Sequence, residues 1–276
     1  SAWLNSSKPL DIPDFSGRVL VIEAFQMLCP GCVSVGLPQV QRVARLFSKE
    51  QVAVIGLHTV FEHHEAQGTR EALGAFAHEY QLAFPIGIDQ QDGRLPVTMT
   101  AYNMQGTPTV IVIDRNGMRR FQRFGHVDDL TLGSVIGAVL GEAPEDEVQA
   151  LRDYGYNIGM AFQVRDDMLD FEGDASDLGK PVGSDLLNGV LTLPTIMLME
   201  RYPNDDLVQS LFKDRSNEKK LQKVVDVIND STILPDCEQV VQDYSDKACQ
   251  ALQTLPDCEP KRSLTDLAEY ITARRR

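Results

Sequence analysis

What the 276-residue sequence lacks first is an excess of positive charge: 26 Lys and Arg stand against 40 Asp and Glu, a formal net charge of −14. Neutralising a phosphate backbone needs surplus cations, so no nucleic-acid partner is expected. The basic run Arg274–Arg276 is too short to alter that balance. No apolar run approaches the ~18–20 residues of a membrane helix, so no membrane span is expected. The opening residues, SAWLNSSKPLDIPDF, have no basic start followed by an apolar core. No signal peptide is therefore expected, and a cytoplasmic location is. Internal repeats and low-complexity segments are also missing. Cysteine is scarce and uneven: Cys29 and Cys32 form a CxxC, while Cys237, Cys249 and Cys258 lie scattered near the other end. An odd count without regular spacing is no disulfide framework, and no second CxxC or nearby CxxH completes a zinc site. The CxxC is left as redox chemistry, and the three later cysteines read as structural thiols.

What is present is an ordinary globular composition, 43% hydrophobic and 24% charged, over a length that suggests two domains. From Val19 to about Leu140, strands and helices alternate. VLVIEAF and VAVIGLHTV are β-branched apolar runs suited to a buried sheet, and the segments VGLPQVQRVARLFSKE and REALGAFAHEYQ carry apolar residues at helical spacing. TPTVIVIDRNGMRRFQRFG reads as a hairpin turning at Arg115-Asn116-Gly117. LTLGSVIGAVLG closes this half as a helix. After GEAPEDE, with Pro144 as a linker residue, strand-like alternation all but stops and every long segment has helical spacing. The expected organisation is an α/β domain over 1–144 and an all-α domain over 145–276.

The CPGC motif follows directly on the first strand and opens the first helix. A helix N-terminus offers unpaired N–H groups and a favourable dipole, which stabilise a thiolate at Cys29. Cys32, one turn on, is placed to resolve a mixed disulfide at Cys29, the minimum for thiol–disulfide exchange. With these residues in hand, residues 12–141 resemble the thioredoxin fold, nearest the redoxins of the TlpA/peroxiredoxin-like group. The resemblance implies a cis-proline beside the disulfide, which here falls on Pro108 after Thr107 in GTPT, and a disulfide-bearing or dithiol protein partner. Peroxiredoxins carry Thr or Ser three residues before the reactive cysteine, where this chain has Gln26, so disulfide exchange is favoured over peroxide reduction. The FEHHE stretch, Glu62 to Glu65 at its acidic ends, has no HExxH spacing and reads as a solvated loop.

In FQVRDDMLDFEGDASDLGKPVGSDL, the residues Gln163, Asp166, Asp167 and Asp170 share one broad helix face. Carboxylates so placed repel one another unless solvated or sharing a cation, and magnesium prefers such oxygen ligands. The stretch, and the helices to the chain end, resemble the C-terminal part of trans-isoprenyl diphosphate synthases, the polyprenyl synthetase family, over about residues 147–276. The resemblance implies a partial isoprenoid-synthase helical bundle. In it Asp166, Asp167 and Asp170 would bind Mg2+, Asp185 would support the metal through water, Gln163 would line the site, and Lys180 would contact a prenyl diphosphate. The family's first aspartate-rich region has no counterpart here: DDLTL (128–132) and DDLVQ (205–209) lack the third aspartate, and Val190 replaces a diphosphate-contacting lysine.

Three readings remain open. The chain is a thiol–disulfide oxidoreductase with an appended helical module; or a prenyltransferase subunit whose site a partner completes; or a non-catalytic or artificial fusion whose helical half is an interaction surface. Helices that pack against a missing half expose apolar faces, so association is expected through the helical half, with itself, with a prenyl synthase subunit, or with the thioredoxin-like module.

Overall fold

The computed structural model describes residues 3–93, 95–172, 182–204, 206–214 and 217–274. The chain divides into two compact units, Ser1–Gln149 and Ala150–Arg276. The first is built around strand β2 (Val19–Phe25), whose seven residues are all buried. Burial on both faces is what a near-continuous apolar run in a central strand dictates. Strand β3 (Val52–His58) pairs with it in parallel, from Val19↔Val52 to Phe25↔His58. On the other side β7 (Thr109–Ile113) pairs antiparallel and turns back into β8 (Arg119–Phe124). With β1 (Trp3–Leu4) and β4 (Ile86–Ile88), the six-stranded order is β1-β4-β3-β2-β7-β8. The hairpin turn expected at residues 115–117 is present, and Gly117 there has φ +83°, a conformation open to glycine.

Alternation along β2 gives its two faces different company. Leu20, Ile22 and Ala24 pack with Ala53, Ile55, Met99, Met104, Ile111 and Ile113. The opposite face carries Val19, Val21, Glu23 and Phe25 beneath the helical run after the CPGC motif. That run begins as a wide π turn, Cys32–Gly36, and continues as α1 (Leu37–Leu46). A short helix α2 (His64–Gln67) and α3 (Arg70–Glu79) follow β3, with Thr69 capping α3 through the Ala72 N–H. The short strands β5 (Gln91–Asp92) and β6 (Leu95–Pro96) form a separate small ladder and lead into α4 (Val97–Ala101). Helix α5 (Asp129–Leu140), capped by Asp128, completes the α/β layer.

The acidic residues after Pro144, expected as a linker, form the first turn of the long helix α6 (Glu145–Glu172). Negative charge at a helix N-terminus is favourable, which suits them to that place. The described residues of the second unit are all helix and connection: α7 (Ser184–Asn188), α8 (Leu193–Arg201), α9 (Leu207–Lys213), α10 (Glu218–Asn229), α11 (Ile233–Ala251) and α12 (Glu259–Ala273). Its core joins Tyr154, Ile158, Ala161, Met168 and Phe171 of α6, at helical spacing, to Leu198, Val224, Ile228, Cys237, Val241 and Ile271. The Tyr154 hydroxyl donates to the Leu264 carbonyl at 2.8 Å, pinning the last helix to α6. The expected mixed α/β region followed by a helical bundle is the architecture observed. No helix among the described residues is long and apolar enough to cross a membrane.

Candidate functional site: a dithiol turn and an aspartate helix

Strand β2 ends at Phe25 and the chain turns at once, the Cys29 N–H donating to the Gln26 carbonyl at 3.2 Å. Cys29 stands just before the helical run: its carbonyl accepts from Val33 N–H at 3.1 Å, and its Sγ accepts from Cys32 N–H at 3.2 Å. The two cysteines are joined as a disulfide with Cα atoms 5.2 Å apart. Cys29 is half-buried and Cys32 fully buried, the asymmetry of an accessible nucleophile with a sheltered partner. A backbone N–H aimed at Cys29 Sγ favours negative charge there on reduction.

Across from the sulfur lies Thr107, whose carbonyl is 3.5 Å from Cys29 Sγ and whose bond to Pro108 is cis. Thus Cys29, Cys32, Thr107 and Pro108 come together, although 75 residues separate the last pair from Cys32 in the chain. Gly106 completes a narrow wall, since a Cβ there would lie 2.8 Å from the Phe124 ring. A cleft of about 540 Å³ in this unit is lined by Phe15, Arg18, Arg45, Lys49 and Phe84 at the opposite end of β2. The dithiol does not open into it.

Two buried titratable groups lie beside this turn that composition and spacing did not single out. Glu23, in the middle of β2, is 1% exposed, and its Oε1 has no hydrogen-bond partner among the described residues. Burial pushes its carboxyl up to about 8, so it is protonated at neutral pH. It packs against the π turn: a Cβ on Gly36 would lie 2.0 Å from Glu23 Oε1, so only glycine fits above the carboxyl. His58 ends β3 with its ring 5.3 Å from that of Phe25 and its Nε2 without a partner among the described residues; burial pushes it down to about 4. A lone carboxyl inside VLVIEAF is the signal that could have flagged Glu23, because a buried unpaired acid needs a reason.

In the helical unit the aspartates face different surroundings. Asp166 is exposed, with the Arg274 guanidinium 3.7 Å from its Oδ1, and that guanidinium also sits 4.9 Å from the centre of the Phe162 ring. Arg165, 5% exposed, holds the same tail by donating from Nε to the Arg274 carbonyl at 2.5 Å, and it pairs with Glu238. Asp167 is buried, accepting from Gln163 Nε2 at 2.9 Å and from Leu193 N–H at 3.4 Å. Burial raises its carboxyl above the usual range, the two hydrogen bonds oppose this, and the neighbouring charges of Asp185 and Asp166 add to it. Asp170, 2% exposed, accepts from Ser184 Oγ at 2.8 Å and Asp185 N–H at 3.1 Å, anchoring α7.

Lys180 lies outside the described residues. Val190, at the position noted for its missing lysine, is 52% exposed. Among the described residues no group of three or more His, Cys, Asp or Glu is gathered in a way that could hold a metal ion, and exposed His63 and His64 join no such group. Asp167 does lie within the charge of Asp166 and Asp185, a repulsion that a hard divalent cation would relieve.

Comparison with known proteins divides the chain in the same way. Residues 4–122 match the Redoxin family and residues 130–228 the Polyprenyl synthetase family. A solved thioredoxin-like superfamily protein is 54% identical, with 52% of this chain and 94% of that one covered and a TM-score of 0.50. A thiol-disulfide isomerase from Corynebacterium glutamicum is 46% identical, over 52% of this chain and 93% of that one, also at 0.50. For the helical half, heptaprenyl diphosphate synthase from Staphylococcus aureus is 34% identical over 53% of this chain and 46% of that one, with a TM-score of 0.51. The chain spans less than half the length of the curated relatives it matches, 40% for heptaprenyl diphosphate synthase component 2 of Bacillus subtilis at 34% identity over 140 residues. The chain therefore joins two families, an N-terminal half that belongs to the thioredoxin-like redoxins and a C-terminal half that is a polyprenyl-synthase-like helical domain.

Proposed function

We propose that the protein is a thiol–disulfide oxidoreductase whose chemistry resides in the N-terminal unit. The observation that carries this reading is the pairing of half-buried Cys29 with buried Cys32 beneath the Thr107 carbonyl. In the reduced form the Cys29 thiolate attacks one sulfur of a substrate disulfide, forming a mixed disulfide and releasing the other sulfur as a thiolate. The Cys32 thiol then gives up its proton and attacks Cys29 Sγ. The second substrate thiolate leaves, the substrate is reduced by two electrons, and the dithiol becomes the Cys29–Cys32 disulfide. Glu23, under Gly36 one turn along from Cys32, is the group suited to taking the Cys32 proton in its ionised form, whose share grows as pH rises towards 8. A dithiol partner then restores the reduced form. The similarity to a thiol-disulfide isomerase agrees with this cycle. In a disulfide-reduction assay with insulin and a thiol donor, the protein should turn over and Cys29→Ser should not; activity retained without Cys29 overturns the assignment.

A second reading attaches to the helical unit, because apolar residues stand exposed around its aspartates: Phe162, Val190, Leu191 and Ile196 are each at least 40% exposed. Asp166, Asp167 and Asp185 would hold magnesium, which supplies charge neutralisation for a prenyl diphosphate, and Gln163 would orient Asp167. Asp170 would act by holding Asp185 in place. The apolar surroundings suit a second copy or a prenyl synthase subunit that completes the site. Pyrophosphate release from allylic and isopentenyl diphosphates, measured with and without a synthase subunit, tests this; no turnover in either case ends it.

A further inference from the structure

Behind the dithiol turn lies a second pair of buried side chains, Gln26 and Gln67, each 1% exposed. They come from opposite sides of the site: Gln26 from the end of β2, Gln67 from the last turn of α2. Gln67 Nε2 donates to Gln26 Oε1 at 2.9 Å and to the Glu62 carbonyl at 2.9 Å. Gln67 Oε1 accepts from Leu28 N–H at 3.2 Å, one residue before Cys29. Gln26 Oε1 also accepts from Phe61 N–H at 3.3 Å, and Gln26 Nε2 donates to Thr107 Oγ1 at 3.5 Å. Both amides are thus engaged at both ends, as buried polar groups must be if they are not to destabilise the unit.

We infer that the Gln26–Gln67 amide pair is a positioning device for substrate: it ties the turn carrying Cys29 to Thr107 and so sets the width of the groove that takes a disulfide-bearing segment. The inference rests on the oxidoreductase reading. One end of the network holds Leu28, whose side chain is 56% exposed beside the nucleophile. The other end reaches Thr107, whose carbonyl faces Cys29 Sγ. A protein disulfide lying in an extended form between these walls would contact both, through backbone on the Thr107 side and apolar surface on the Leu28 side. The FEHHE stretch gains a role in the same geometry. Its exposed histidines are incidental, and the short helix they begin exists to deliver Gln67 to the interior.

A positioning role differs from a structural one in its kinetics. Loosening the groove weakens binding of an extended substrate without slowing attack by Cys29 on a small reagent. With a protein disulfide as substrate, Gln26→Met and Gln67→Met in the full chain should each raise KM about 5-fold, the worth of one neutral hydrogen bond. Over the same variants kcat, and the alkylation rate of reduced Cys29 by iodoacetamide, should stay within about twofold. Because the two residues share one bond, the double variant should raise KM less than the product of the single effects. Thr107→Val removes only the Oγ1 acceptor and leaves the buried amides in place, so it tests the same link where a Met variant folds poorly. It should raise KM in the same direction and add nothing further on top of Gln26→Met. An unchanged KM in these variants of an active protein overturns the inference. So does a fall in kcat and melting temperature at constant KM, the mark of a structural role. A wild-type protein with no disulfide exchange overturns the oxidoreductase reading, and this inference with it.

Discussion

The N-terminal and helical units both bring polar groups inside, yet they satisfy them in opposite ways. Around Cys29 the partners are close and internal: Cys32 N–H, the Thr107 carbonyl and the Gln26–Gln67 pair all lie at one end of the central strands and in the turns and short helix beside it. Around the aspartates the partners come from several elements: Gln163 and the Leu193 N–H for Asp167, Ser184 for Asp170, and Arg274 at the end of the described chain for Asp166. Apolar residues beside those aspartates stay exposed, whereas β2 is buried throughout. The contrast teaches that a family likeness over half a fold preserves local helix packing but not the constellation that two halves make together. A thioredoxin-like unit needs only one strand end, one helix start and one loop for its chemistry, and it is present nearly whole.

The sharpest way to break this comparison is to remove the nucleophile. Cys29→Ser should lower disulfide reduction by about three orders of magnitude or more, the scale of losing a nucleophile, and leave any diphosphate chemistry untouched. Next in size, Ile158→Ala opens a fully buried site in the helical core and should cost that unit about 2–5 kcal/mol, read by chemical denaturation. Disulfide reduction by the variant should persist; a parallel loss would show that the two units do not work separately.

Glu23→Gln gives a smaller, pH-dependent effect. The folded carboxyl titrates near 8 and the unfolded one near 4.5, so the folded state holds the extra proton between these values. Its contribution is present below 4.5 and is lost as pH rises through 8. The variant should match wild type in melting temperature at pH 5 and exceed it by a few degrees at pH 8.5. His58 acts in the other direction: its folded value near 4 lies below the unfolded 6.5, so stability is lost as pH falls from 6.5 to 4. His58→Phe should flatten that acid limb. The smallest effect belongs to Asp167→Asn, which removes a buried carboxyl raised by desolvation and by its acidic neighbours. Melting without metal should rise by about a degree, and any magnesium-dependent shift should vanish while disulfide reduction stays constant.

Much of this arrangement was legible in the chain, and the reason is local geometry. CPGC between an apolar strand and an apolar helix marks its own place, and GTPT before TVIVI marks the facing loop. The helical half was readable from spacing, since Tyr154, Ile158, Ala161, Val164, Met168 and Phe171 repeat at three and four residues. Glu23 shows in the chain only as a lone carboxyl in a buried run, and its tie to the dithiol turn becomes visible once Gly36 is seen above it. Gln67 was hidden for a related reason: an amide in a polar loop has no pattern, and its value comes from Gln26, 41 residues away. The aspartates were visible as an acidic face, but their division into exposed Asp166, desolvated Asp167 and anchoring Asp170 depends on distant partners. No spacing encodes those contacts.

The central claim, that the redox chemistry belongs to Cys29 with Cys32 as its resolving partner, is tested most directly by trapping. Reduced full-length Cys32→Ser protein, mixed with a disulfide-bearing protein substrate, should accumulate a covalent mixed disulfide, and peptide mapping by mass spectrometry should place the linkage at Cys29. A linkage at Cys237, Cys249 or Cys258, or an adduct that also forms when Cys29 is replaced by serine, would contradict the account.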